Sequence, residues 1–170
     1  SISGSFPPGI VGGWGHSWGA NILPQLEQKP LADTIFWGDR GNWYDSDPVS
    51  LSLQNLARAR ISGFRCPSQS GSLSENWVIS NRFKTNYLCN AGSNVMIDDF
   101  ASSPTVDMSR SNGVVLANYC TNAWQTVQIG DIRDGTSNTL LVGEAIYAGN
   151  KADGCDFCHR FYLYHPEFDT

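Results

Sequence analysis

The stretch Gln128-Ile-Gly-Asp-Ile-Arg-Asp-Gly-Thr-Ser-Asn-Thr-Leu-Leu-Val-Gly-Glu144 decides how the chain is read. Val127, Ile129 and Ile132 form a short apolar lead-in. Asp134-Gly135 marks a turn, because glycine accepts positive φ and an aspartate side chain can bond its own backbone. Thr136, Ser137 and Asn138 offer capping hydroxyls and an amide. Leu140-Leu141-Val142 then reads as a buried strand closed by Gly143. The same residues concentrate oxygen, and oxygen-rich loops can hold calcium. Asp131, Asp134 and Asn138 are the candidate ligands, although their spacing does not follow the helix-loop-helix calcium pattern. A turn whose side chains satisfy backbone groups is the simpler expectation.

Upstream, Asp47-Pro48 opens a helix expected over Val49–Arg60. Asp47 can cap it, Pro48 suits its first position, and Arg58 and Arg60 favour its C-terminal end. A second, shorter helix is expected over Trp18–Gln28, capped by Ser17 and kinked or delayed by Pro24. Strands are expected at 77–79, 83–89, 113–116, 127–132, 139–143 and 161–164. Short strands and frequent turns favour hairpins over crossover units. The fold class is therefore α+β, with a predominantly antiparallel sheet, one or two short helices and long loops, in a single domain over residues 1–170. Residues 31–43 read as an aromatic loop packed over the core, and 93–112 as a polar surface excursion. There is no internal repeat.

Charged residues make up only 16% of the chain and aromatic residues 12%, which suits a packed, loop-rich extracytoplasmic domain. Net charge is −5 with no basic run, so the electrostatic footprint of nucleic-acid binding and the polybasic signature of membrane-surface contact are both missing. No apolar run is long enough to cross a bilayer. Five cysteines, Cys66, Cys89, Cys120, Cys155 and Cys158, cannot all pair within one chain.

Five segments carry a resemblance. They are Gly4-Ser-Phe-Pro-Pro-Gly9, His16-Ser-Trp-Gly-Ala-Asn-Ile-Leu-Pro-Gln-Leu-Glu-Gln28, Phe64-Arg-Cys-Pro-Ser68, Thr85-Asn-Tyr-Leu-Cys-Asn-Ala-Gly92 and the GDIRDGTSNTLLVGE run of 130–144. In this order they resemble a large bacterial family of secreted prepilin-type proteins of unknown function, some of them labelled solute-binding. The resemblance implies a pilin-like, extracytoplasmic head that follows an N-terminal hydrophobic helix. That helix is absent from this sequence and is expected just before Ser1. A further segment with a Gly/Asp-rich hairpin is expected beyond Thr170. The partners it implies are other copies of the chain or related pilin-like subunits.

One motif lies outside that resemblance. Cys155-Asp-Phe-Cys-His159 has the form used for covalent c-type haem attachment, with two thiols for the vinyl groups and His159 for the iron. His165, His16, Met96 or Met108 would supply the second axial ligand. Alternatively these cysteines form a disulfide with each other or with Cys66, Cys89 or Cys120. Zinc is a weaker reading, because adjacent Cys158 and His159 make poor joint tetrahedral ligands. No nucleophile elbow, zinc-protease helix or phosphate loop is present, so the chain is not read as an enzyme. Three readings stand: a structural head working by assembly, a haem electron-transfer protein, and a small-ligand-binding head built on Trp14, Trp18, Trp37 and Trp43. His16 is expected as an interfacial or capping side chain.

Overall fold

Asp47-Pro48 starts a helix because proline brings a preset φ and lacks the N–H that a first turn leaves unbonded. A computed structural model describes residues 4–11, 15–37, 46–75, 79–90, 92, 112–115, 117–118, 126–145 and 164–165. Among them α3 (Pro48–Arg58) is the longest element, following the four-residue turns α1 (Trp18–Asn21) and α2 (Lys29–Ala32). The Asp47 carboxylate accepts the N–H groups of Val49 at 2.9 Å and Ser50 at 3.2 Å, and the Ser50 hydroxyl also donates to it. These bonds, the hydroxyl's first, hold the carboxyl below its ordinary range. Leu53, Leu56 and Ala57 turn inward and are fully buried, while Leu51 faces out. The helix ends before the expected Arg60, because Ala59 is already extended. Arg58 Nε then donates to the Ser80 carbonyl at 3.0 Å, tying the helix end to a distant turn.

The helix expected over Trp18–Gln28 is broken in two. α1 stops at Asn21, and a 3-10 turn over Leu23–Leu26 takes Pro24 into its first positions, where no N–H is needed. Glu27 closes this turn in the left-handed region, at φ 60°. Ser17 stands at the helix start with extended backbone but makes no side-chain cap, because it is buried instead. Lys29 and Asp33 pair across one turn at 2.6 Å, both well exposed, which adds little stability.

The core gathers from these helical segments and the chain that follows α3. Ala20, Leu23, Ala32 and Ile35 meet Leu53, Leu56 and Ala57, then Ile61, Phe64, Ile79 and Phe83. Trp18 packs edge-on against Phe64 with centroids 5.8 Å apart. The loop expected to cover the core does so only in part, since Ile35 is buried while Phe36 and Trp37 stay exposed.

The strands form short ladders. β1 (Ile10–Val11) runs parallel to β6 (Ala117–Asn118). β2 (Gly15–His16) is antiparallel to β8 (Tyr164–His165), β3 (Ser74–Glu75) to β4 (Arg82–Phe83), and β5 (Tyr87–Cys89) to β7 (Val142–Glu144). Three of these four ladders are antiparallel, so the described residues have the expected α+β character with mainly antiparallel pairing.

Several expected strands are corrected. Residues 83–89 form two strands interrupted at 84–86. Residues 127–132 are not a strand but one bridge, Ser5 to Gln128, followed by a 3-10 turn over Ile129–Asp131. Pairing near 113–116 begins at Ala117 instead, and the strand expected at 139–143 lies at Val142–Glu144. Of 77–79 only Ile79 is described, as a buried bend; of 161–164 only Tyr164, in β8. Leu140 and Leu141 are 63% and 37% exposed, and Ile129 is 59% exposed, so the expected buried strand and its apolar lead-in are misplaced. Leu140 and Leu141 precede β7, and their carbonyls rather than their side chains are engaged.

Leu53→Ala is expected to lower unfolding free energy by about 2–5 kcal/mol through cavity formation. Leu141→Asp is expected to lower it by less than about 1 kcal/mol, as at other exposed sites. Urea denaturation of the two variants checks this ordering, and a larger loss for Leu141→Asp would show that its side chain is buried.

Candidate functional site

A polar side chain with no exposed surface must find its hydrogen bonds inside the protein. Asn86 is fully buried and does so by joining three segments. Its Oδ1 accepts the Cys66 N–H at 3.1 Å, and its Nδ2 donates to the Ala145 carbonyl at 2.8 Å and to Gln69 Oε1 at 3.3 Å. Its backbone donates to the Phe64 carbonyl at 2.9 Å and accepts from the Ala145 N–H at 2.7 Å. One residue thus fixes the 64–69 turn, the entry to β5 and the exit from β7.

Asn90 performs the matching task at the other end of β5. Its N–H donates to the Leu141 carbonyl and its Nδ2 to the Leu140 carbonyl, both at 2.9 Å. Its Oδ1 accepts the Gly92 N–H at 2.9 Å, and its carbonyl accepts the Val115 N–H at 3.3 Å. The backbone at 140–141 is therefore fastened while both leucine side chains face solvent.

The loop between these anchors is closed by its own polar groups. Asp131 Oδ2 accepts the Gln128 N–H at 2.9 Å, forming a capping box over the 3-10 turn. Asn138 Nδ2 donates to the Asp134 carbonyl at 3.0 Å, and Thr139 Oγ1 to the Gly135 carbonyl at 3.1 Å. Gly135 sits at φ 84°, the conformation for which glycine was expected. Asp131 and Asn138 thus bond backbone groups through their side chains, while Asp134 takes part through its carbonyl. Among the described residues no group of three His, Cys, Asp or Glu is placed to hold a metal ion.

His16 is buried in β2, directly before the N-cap residue of α1. Its ring meets Trp37 edge-on, with centroids 4.6 Å apart and planes at 81°. Burial pushes its pKa down to about 4, so the imidazole is neutral at neutral pH. The β2–β8 register sets His16 opposite Tyr164 and Gly15 opposite His165, which brings both histidines of the axial-ligand reading onto one two-stranded ladder. Cys155, Cys158, His159, Met96 and Met108 lie outside the described residues, so no haem geometry is drawn.

Among the described residues Cys66 and Cys89 are free thiols, and Cys120, Cys155 and Cys158 lie outside them. The Cys66 sulfur is 3.0 Å from the Ser68 hydroxyl. Burial pushes the Cys89 thiol up to about 12, which keeps it protonated and inert. Of the tryptophans suggested as a binding surface, Trp18 is half-buried and packs against the core, and Trp37 is 41% exposed, with its Nε1 donating to the Ala32 carbonyl at 3.3 Å. Trp14 and Trp43 lie outside the described residues. Sequence reasoning missed Asn86 and Asn90, although both fall inside the Thr85–Gly92 segment.

A family model described as "Protein of unknown function (DUF1559)" matches residues 1–168. No curated protein and no solved structure matches the chain.

Asn86→Ala strands the Cys66 N–H and removes a partner of the Ala145 carbonyl, and is expected to cost about 2–4 kcal/mol in chemical denaturation. His16 produces a pH dependence of definite sign. Its folded pKa lies below the unfolded value of about 6.5, so its contribution is complete above pH 6.5 and is lost as pH falls toward about 4. The loss approaches roughly 3 kcal/mol over that window. Unfolding free energies measured from pH 7 to 4 should show this decline in the native chain and not in His16→Phe.

Proposed function

Since the chain belongs to this family of proteins of unknown function, we propose that it is the extracytoplasmic head of a pilin-like protein. Its work is packing, assembly and surface display rather than turnover. Its partners are other copies of itself or related pilin-like subunits. The observation that carries the reading is the treatment of the 128–144 stretch. Ile129, Leu140 and Leu141 present large apolar side chains to solvent from a backbone that Asn90, Asp131 and Asn138 hold in place. An apolar surface on a fixed backbone suits contact with another protein, since its ordering cost is met before binding. The five segments that resemble those of prepilin-type proteins add to this reading. Among the described residues no helix is long and apolar enough to cross a membrane, and the membrane-spanning part of such a protein would be its N-terminal hydrophobic helix.

The double variant Ile129→Asp, Leu140→Asp in the full-length gene product tests the proposal. Material sheared from the cell surface should lose the protein, while the purified head keeps the melting temperature of the native chain. Undiminished recovery of the double variant in sheared assemblies would contradict it.

A second reading, a c-type haem for electron transfer, is supported by the Cys155-to-His159 motif. The two readings are compatible, because a filament subunit can carry haem. A visible spectrum of the reduced protein decides the haem reading: a sharp α-band supports it, and its absence removes it.

A further inference from the structure

Exposed charge is divided unevenly along the chain. Residues 127–145 hold the carboxylates of Asp131, Asp134 and Glu144 against one guanidinium, Arg133, a net charge of −2, and all four side chains are exposed. Residues 48–74 hold Arg58, Arg60 and Arg65 and no carboxylate, a net charge of +3. Arg60 is exposed just beyond the end of α3. The half-buried Arg58 lies about two helical turns after the exposed Leu51, on the same side of α3. Among the described residues Arg60, Asp134 and Glu144 join no ion pair. Each part also offers apolar surface to solvent, Ile129 and Leu140 beside the carboxylates and Leu51 beside the arginines.

We propose that the acidic, apolar surface of residues 129–144 docks on the basic surface around Leu51, Arg58 and Arg60 of a second copy of this chain. This contact takes the pilin-like reading as its premise and names the surface that meets Ile129 and Leu140. A second copy is the occupant because the chain itself carries both complementary surfaces, each with unpaired charge of opposite sign. Removing Ile129, Leu140 and Leu51 from water supplies the attraction. The charges add little affinity as exposed pairs. Their work is selection: opposite potentials steer the encounter and fix its register, and like charges brought together penalise the wrong one. Asp131 is committed to the Gln128 N–H, whereas Asp134 enters its turn through its carbonyl. Asp134 and Arg60 can therefore exchange charge without loss of a bond that holds the loop.

Charge exchange in the full-length gene product tests this contact. Arg60→Glu alone and Asp134→Arg alone should each lower recovery in material sheared from the cell surface by about tenfold, because like charges then face each other. Cells that produce both variants together should recover them at the native level, because every contact between unlike variants again joins opposite charges. Both positions are exposed, so the purified heads should keep the native melting temperature. Undiminished recovery of either single variant would overturn this contact. A loss that coexpression does not relieve would also overturn it, and would leave a related subunit or another molecule as the occupant. Absence of the native chain from the sheared material would instead overturn the pilin-like reading, and this contact with it.

Discussion

The buried amide of Asn86 is the constraint on which the rest of the β region depends. Its partners come from a turn that follows α3 and from the end of β7, far apart in sequence, and it ties that turn to the β5–β7 ladder. An amide suits the task because it offers donors and acceptors at once, without the desolvation cost of a charge. An unmet bond in this setting is costly, so the arrangement specifies register as well as adding stability. Asn90 repeats the device at the other end of the same strand. Between them, two asparagines locate a two-stranded ladder too short to be stable by itself.

These anchors give structural meaning to the segments of family resemblance. Phe64–Ser68, Thr85–Gly92 and 130–144 meet at Asn86 and Asn90. Gly4–Gly9 joins the same region, with the Phe6 N–H on the Val127 carbonyl at 2.8 Å and Ser5 bridged to Gln128. His16–Gln28 enters the helical core through Ala20 and Leu23 and connects back where the Trp18 N–H meets the Gly9 carbonyl at 2.6 Å. The segments describe one set of interlocking contacts, and the stretch that organises them spends its apolar side chains on the surface.

Local signals were legible in the sequence, and nonlocal ones were not. Asp47-Pro48 announced α3 because capping and proline placement act within one turn. Pro24 announced the break after α1 for the same reason. The Asp134-Gly135 turn was also readable. Leu140-Leu141 was misread because hydrophobicity implies burial only when no distant group fixes the backbone the other way, and that group is Asn90, fifty residues upstream. The turn at 129–131 carried a usable signal that was overlooked, with Gln128 and Asp131 at the spacing of a capping box. Asn86 carried none, since its partner Ala145 is 59 residues away. The exposed loop and the buried hub are thus two consequences of long-range backbone bonding.

Amide hydrogen exchange at Cys66 and Ala145 tests the central role of Asn86 most directly. Both N–H groups donate to this residue, to its side chain and to its carbonyl respectively. If Asn86 joins the β region to the core as one cooperative unit, both amides exchange only through global unfolding, with the same opening free energy as Leu56 in α3. Exchange at Cys66 and Ala145 through a markedly lower-energy local opening, while Leu56 stays protected, would contradict the account.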